Sequence, residues 1–146
     1  MGTPLEILYK RFQTKVDEDL TGKESLIFAL VDVAISKSYK TCIHSLDYVL
    51  DDPIYDEGNC QINQYEGSFN ETLFNDEIEL LALWMLYEWN RREQQKLVKQ
   101  RQSIGTSDFN RLEGKKDQLI AVNYTMKTIK DDINELKNEF NTYKYN

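Results

Sequence analysis

The chain is expected to fold as a small all-α bundle of about four helices. A long C-terminal helix and a long acidic loop or small β-hairpin between the second and third helices complete the prediction. Three observations support it. Apolar residues recur at helical spacing in four separate stretches. Only two prolines occur in 146 residues, so long helices run uninterrupted. The helical pattern lapses over 47–73, where Pro53, Gly58 and Gly67 stand among Asn and Asp residues. The length and the 40% hydrophobic content suit one domain, 1–146. Such a domain buries about two thirds of the surface its unfolded chain exposes.

The first helix opens at Thr3-Pro4-Leu5-Glu6, which reads as a capping box with proline at the first helical position. Leu5, Leu8, Tyr9, Phe12 and Val16 give it one apolar face. Thr21-Gly22-Lys23-Glu24 reads as a second capping box. The helix behind it carries Leu26, Ile27, Leu30, Val31, Ala34 and Ile35 and is expected to run past Tyr39 towards Cys42. After the acidic insert, Asn75 is the expected cap of the most hydrophobic element, with Asp76, Glu77 and Glu79 complementing the helix dipole. Apolar residues on every side of 78–89 make this helix the core. From Arg91 the character reverses to a basic, mostly solvated strip. The patch Gly105-Thr106-Ser107-Asp108 then breaks the helix and caps the next.

The last helix, roughly 109–140, has a clear register. Leu119, Val122, Met126, Ile129, Ile133, Leu136 and Phe140 are spaced alternately by three and four residues, an a/d seam over three heptads. It fits either the central helix of the same chain or a partner helix in a coiled coil. Residues 141–146 read as a short extended tail.

Charge is unevenly distributed. Residues 41–90 hold eleven of the 25 carboxylates, while all eighteen Lys and Arg lie outside that window. Unlike faces on one subunit suit head-to-tail packing into rings or filaments. Net charge −7 and pI near 4.8 argue against general nucleic-acid or anionic-membrane binding. The opening MGTPLEILYKRF lacks the pattern of a secretion signal, and Glu6 stands where a myristoylation motif needs Ser or Thr. The longest apolar stretch is too short to span a bilayer. Cys42 and Cys60 form no CxxC pair and are expected to stay reduced. A soluble intracellular product, or one released from inside a cell, is therefore expected.

Catalytic chemistry finds little support. His44 is the single histidine, no motif surrounds it, and it is expected to be satisfied or exposed rather than a general base. A Cys60–His44 dyad has nothing to recommend it. Asp47, Asp51, Asp52, Asp56 and Glu57 lack EF-hand spacing, and no glycine-rich phosphate cradle occurs. No enzyme, cofactor or metal site is expected. The best candidate surface is the strip Arg91, Arg92, Lys96, Lys99 and Arg101. It reads as a solvated helix face, a contact for an acidic neighbour (another copy included), or the lining of a DNA passage. The absence of aromatics within 91–101 disfavours single-strand recognition.

The order of elements adds a resemblance. Leu8-Tyr9-Lys10-Arg11-Phe12 precedes a helix ending in Ala34-Ile35-Ser36-Lys37. An acidic connector leads to Phe74-Asn75-Asp76-Glu77-Ile78-Glu79-Leu80-Leu81-Ala82 and Glu88-Trp89. Then come Lys-Gln-Arg-Gln-Ser at 99–103, Ser107-Asp108-Phe109, a final helix and a tyrosine-rich end. This arrangement resembles the small all-helical head–tail connector (adaptor) proteins of tailed bacteriophages, through degenerate motifs spread over most of the chain. The 47–73 insert is longer than that resemblance leads one to expect. The resemblance implies a non-enzymatic virion protein at the head–tail junction, made in the bacterial cytoplasm. It would form a ring, commonly of twelve copies, beneath the portal and extend the DNA channel. Its partners would be other copies, the portal and the next neck or tail component, with transient contact to packaged DNA and no membrane. Tyr143, Lys144 and Tyr145 would reach the portal, and the basic strip would face a neighbour or the channel. A different reading of the same residues is an interaction module, a coiled-coil adaptor or small phage inhibitor, acting through the C-terminal helix.

Overall fold

The run Ile78, Leu80, Leu81, Ala82, Leu83, Trp84 and Met85 has no polar side to turn to water, so neighbours must cover it all round. All seven are buried. They belong to α3 (Asn75–Ser103) of a computed structural model that describes residues 2–104 and 108–145, the side chains of 109 and 143–145 excepted. Three further helices pack on it: α1 (Leu5–Gln13), α2 (Glu24–Ser38) and α4 (Phe109–Tyr145). A small antiparallel pair, β1 (Tyr48–Leu50) and β2 (Gly67–Phe69), joins α2 to α3, with Tyr48 opposite Phe69 and Leu50 opposite Gly67. The bundle is mostly helical, as its periodicities require.

The α1 stripe is buried as expected, with Leu5, Leu8 and Phe12 fully enclosed and Phe12 meeting Trp89 edge-on at 5.8 Å. Arg11 and Lys15 both reach Glu79 on α3, which fixes the tilt of α1 across the core. From α2, Ile27, Leu30, Val31 and Ala34 face inward. The seam of α4 is filled within the chain: Met126, Ile129, Ile133 and Phe140 are buried, and Leu119, Val122 and Leu136 are half-buried. The α3–α4 pair is the largest interface between elements. Each such aliphatic or aromatic side chain, fully buried, contributes about 1.5–3 kcal/mol.

Several local expectations are corrected. Thr3 does not cap α1, which has Pro4 at its N-cap and no side-chain cap. Its hydroxyl instead accepts from Leu73 N–H at 2.9 Å, and its carbonyl accepts from Phe69 N–H at 2.8 Å, pinning the N-terminal segment along β2. Tertiary pairing has outcompeted the local cap. Thr21 likewise turns to Asp19, and neither half of the second box forms: Glu24 accepts from Gly22 N–H at 3.3 Å, and the N-cap of α2 is Lys23. The second helix ends at Ser38, where Thr41 and Cys42 N–H groups close a turn on the Ser38 carbonyl. The N-cap of α3 is Phe74, not Asn75. The expected extended tail is helical through Tyr145. Tyr143, Lys144 and Tyr145, expected to reach the portal, have side chains outside the described residues.

The 47–73 insert is a hairpin rather than an open loop. Beyond β1 and β2, Ile62 N–H donates to the Ile54 carbonyl and Asp56 N–H to the Cys60 carbonyl, giving a second, smaller hairpin at the tip. Asn63, buried at its base, donates to the Asp52 carbonyl at 2.7 Å and accepts from Ile54 N–H at 2.8 Å. At Gly67 a Cβ would strike the backbone of Val49 and come within 2.8 Å of Leu50 Cα, so close strand approach requires glycine there.

Candidate functional site

The two groups most suggestive of chemistry have found each other. Glu77, fully buried in the first turn of α3, accepts from His44 Nδ1 at 2.6 Å and His44 N–H at 3.0 Å. It also accepts from Phe74 N–H at 2.9 Å. Burial pushes its carboxyl up, but the bonds from Phe74 and His44 outweigh that and hold it below its ordinary value. The His44 ring also meets Phe74 edge-on at 4.7 Å. No nucleophile joins them. The Ser45 hydroxyl accepts from Asp47 N–H, Cys42 is buried, and exposed Cys60 lies at the hairpin tip near the Gly58 carbonyl. This is a buried polar clamp that ties the 39–46 segment to the start of α3. Among the described residues no group of three or more His, Cys, Asp or Glu is placed to hold a metal ion.

What remains is surface, and it is divided by charge. The hairpin fastens to α2 through Phe28, whose ring meets Tyr48 at 6.0 Å and Tyr65 at 5.0 Å, and through Tyr48 Oη donating to Asp32 at 2.8 Å. Burial and that bond push the Tyr48 phenol up to about 12. Tyr9 Oη, donating to the Tyr65 carbonyl, is pushed higher still, first by burial. From this base the tip projects. Asp51, Asp52, Asp56 and Glu57 are exposed with no ion-pair partner among the described residues, and Val49, Ile54, Tyr55 and Ile62 stand open beside them. Where the hairpin meets α1 and α2, a cleft of about 490 Å³ is walled by Glu6, Glu24, Asp51 and Glu66. This flank is acidic and apolar at once.

The expected basic strip is present and exposed. Arg91, Arg92, Lys96, Lys99 and Arg101 all face water, and only Arg91 has an acidic neighbour, Glu88 at 3.8 Å. Arg92, Lys96 and Lys99, at i, i+4 and i+7, form one stripe opposite buried Leu97. They ride on the C-terminal half of α3, where Gln94 donates to Asn123 of α4 at 2.6 Å.

A second basic cluster escapes a sequence reading. Lys37 of α2 and Lys130 and Lys137 of α4 gather over Trp84, their Nζ atoms 5.6, 4.6 and 5.2 Å from the ring centre. Lys130 also lies 5.6 Å from the ring centre of Tyr87. None of the three has an ion-pair partner among the described residues. Burial, followed by Lys130 and Lys37, lowers the Lys137 amine below its ordinary value. These residues are far apart in sequence. The one legible signal is that none has a carboxylate three or four positions away on its helix to pair with, a lack that Lys99 shares.

The acidic hairpin and the lysine cluster lie on opposite flanks of α2. Phe28 faces the hairpin, and Lys37, nine residues on at 100° per residue, is turned half a revolution away. The chain matches no protein-family model, and no curated protein or solved structure matches it.

Proposed function

We propose that this chain is a self-assembling structural subunit of a virus particle, a ring-forming connector that sits beneath the portal of a tailed bacteriophage. In this role it joins head to tail and extends the DNA channel. The observation that carries the reading is the pair of unlike, uncompensated charged flanks on opposite sides of one small bundle. A subunit built that way is complementary to itself head to tail, and such contacts close into rings when the rotation per step allows. The reading has no catalytic step. The exposed stripe Arg92, Lys96 and Lys99 lies on the part of α3 least covered by protein, where it is free to face a neighbouring subunit or packaged DNA. No helix among the described residues is long and apolar enough to cross a membrane. The partners in this reading are other copies, the portal and the next neck or tail component.

Native mass spectrometry and sedimentation of the purified chain, alone and with portal protein, test the proposal. The expected result is a closed oligomer of about twelve copies (the number the resemblance implies), or its assembly on portal, weakening as salt rises. A monomer at every concentration that ignores portal refutes it. A second reading, an interaction module acting through α4, has one observation in its favour: Ile120 and Tyr124, one turn apart on α4, are exposed, Tyr124 by 73%. Association lost on Tyr124→Glu and indifferent to salt would favour that reading. The seam residues Ile129 and Ile133 cannot serve in such a test, because they are buried inside the bundle.

A further inference from the structure

We propose that Lys37, Lys130 and Lys137, gathered over Trp84, form the receiving site for the carboxylates at the hairpin tip of a second copy. The inference rests on the self-assembly reading above and deepens it by naming the contact.

Three ammonium groups around one indole repel one another. The aromatic faces of Trp84 and Tyr87 relieve part of that repulsion, since a cation over a ring is attracted to its quadrupole. One ring has only two faces, and no carboxylate is supplied by α2 or α4 at the neighbouring turns. An arriving anion therefore meets three donors already converged from two helices. The positions are also held: Lys130 and Lys137 are seven residues apart, flanking buried Ile133, while Lys37 approaches from across Trp84. The Trp84 indole N–H is itself buried without an acceptor among the described residues.

The occupant is argued from the opposite flank. Asp51, Asp52 and Glu57 are exposed, and no side-chain hydrogen bond or ion pair occupies them among the described residues, whereas Asp56 is engaged internally by Gly58 and Cys60 N–H groups. Ile54, Tyr55 and Ile62, each more than half exposed, give the same tip an apolar side to bury. The half-turn between Phe28 and Lys37 prevents a copy from satisfying its own site, so the contact must be made in trans. An interface joining two different patches is heterologous and repeats from copy to copy.

Two charge-reversed proteins test this: Lys130→Glu with Lys137→Glu, which disables the site, and Asp51→Lys, Asp52→Lys with Glu57→Lys, which disables the tip. Sedimentation velocity is run at low salt under the condition in which the wild-type chain assembles, alone or on portal. Each variant alone should associate on the order of a hundredfold more weakly than wild type. Mixed in equal amounts they should assemble again, because the unchanged tip of one meets the unchanged site of the other and the two reversed patches attract each other in turn. Matching thermal unfolding excludes misfolding, and Lys130→Gln with Lys137→Gln gives a milder form of the same loss. Wild-type association by the site-reversed protein overturns the contact while leaving assembly intact. A wild-type chain that never assembles overturns both. If the lysine variant loses binding to a short DNA duplex but keeps self-association, the site is for phosphate and the inference fails.

Discussion

Residues 75–89 and 90–103 of α3 belong to one continuous helix, yet their surroundings differ sharply. The first half is enclosed by α1, α2 and α4, with Leu80, Leu81, Ala82 and Met85 wholly out of water. The second half meets α4 through Gln94 and Asn123, buries Leu97 and leaves Val98 and five basic side chains exposed. The hairpin repeats the contrast on a smaller scale: its base packs against Phe28 and α1, while its tip stands in solvent on both faces. The molecule is thus a well-packed body carrying two thinly supported projections, and its unpaired charge is concentrated on the projections and on the lysine-lined flank.

Equal truncations in the two halves should therefore have unequal consequences. Leu81→Ala empties a site with neighbours on every side and should cost roughly 3–5 kcal/mol in urea unfolding. Leu97→Ala, with one helix above it, should cost about 2 kcal/mol or less, because the site collapses and can open locally. Hydrogen exchange discriminates further. The Leu97 variant should speed exchange over 91–103 and 112–123 and leave 78–89 unchanged. Equal costs, or acceleration throughout, would mean the arm is part of one cooperative unit with the body.

The body also holds the main pH dependence. Glu77 is held below its ordinary value by His44 and Phe74, and Glu79 likewise by Lys15 and Arg11, in each case against the upward push of burial. A carboxyl depressed in the folded state is protonated first in the unfolded chain as pH falls. Its contribution is therefore complete above the ordinary carboxylate range and is lost as pH drops through the folded value. Glu77→Gln should cost about 3 kcal/mol at neutral pH, since it leaves buried donors badly matched. The cost should shrink as pH falls through the depressed folded value, below which the wild-type carboxyl is protonated as well. A difference that stays constant from neutral pH down to acid unfolding would show that Glu77 acts by shape and not by charge.

The body was easier to read in sequence than the projections, for physical reasons. Periodicity reports burial, so the stripes of α1 and α2, the all-round apolar stretch of α3 and the seam of α4 were all visible, including that seam's start at Leu119. Polar pairing across long separations leaves no such trace. Glu77 looks like a surface acid at a helix N-terminus until His44 is folded against it from 33 residues away. Thr3 looks like a cap until Leu73 claims its hydroxyl. The lysine cluster draws on positions 37, 130 and 137, which lie on two helices and share no motif. The basic strip was legible because it lies on one turn-by-turn stretch of one helix; its role rests on the assembly tests.

The smallest effect concerns the hairpin tip, which Asn63 holds to its base. Its amide reaches across the smaller hairpin to the opposite strand, accepting from Ile54 N–H and donating to the Asp52 carbonyl, from a buried position. Asn63→Ala leaves both backbone groups unpaired and should cost about 1–2 kcal/mol. That cost should be confined to 51–62 and read as faster exchange of the Ile54 amide and earlier proteolysis around 55–60, with the urea midpoint of the body little changed. Asn63→Asp keeps the acceptor for Ile54 but turns an oxygen towards the Asp52 carbonyl, so it should also loosen the tip. A loosened tip must be reordered on docking, so its carboxylates would bind a neighbour more weakly without any change in charge. Assembly weakened by Asn63→Ala while the body stays intact would separate the shape of the tip from its charge as determinants of the contact.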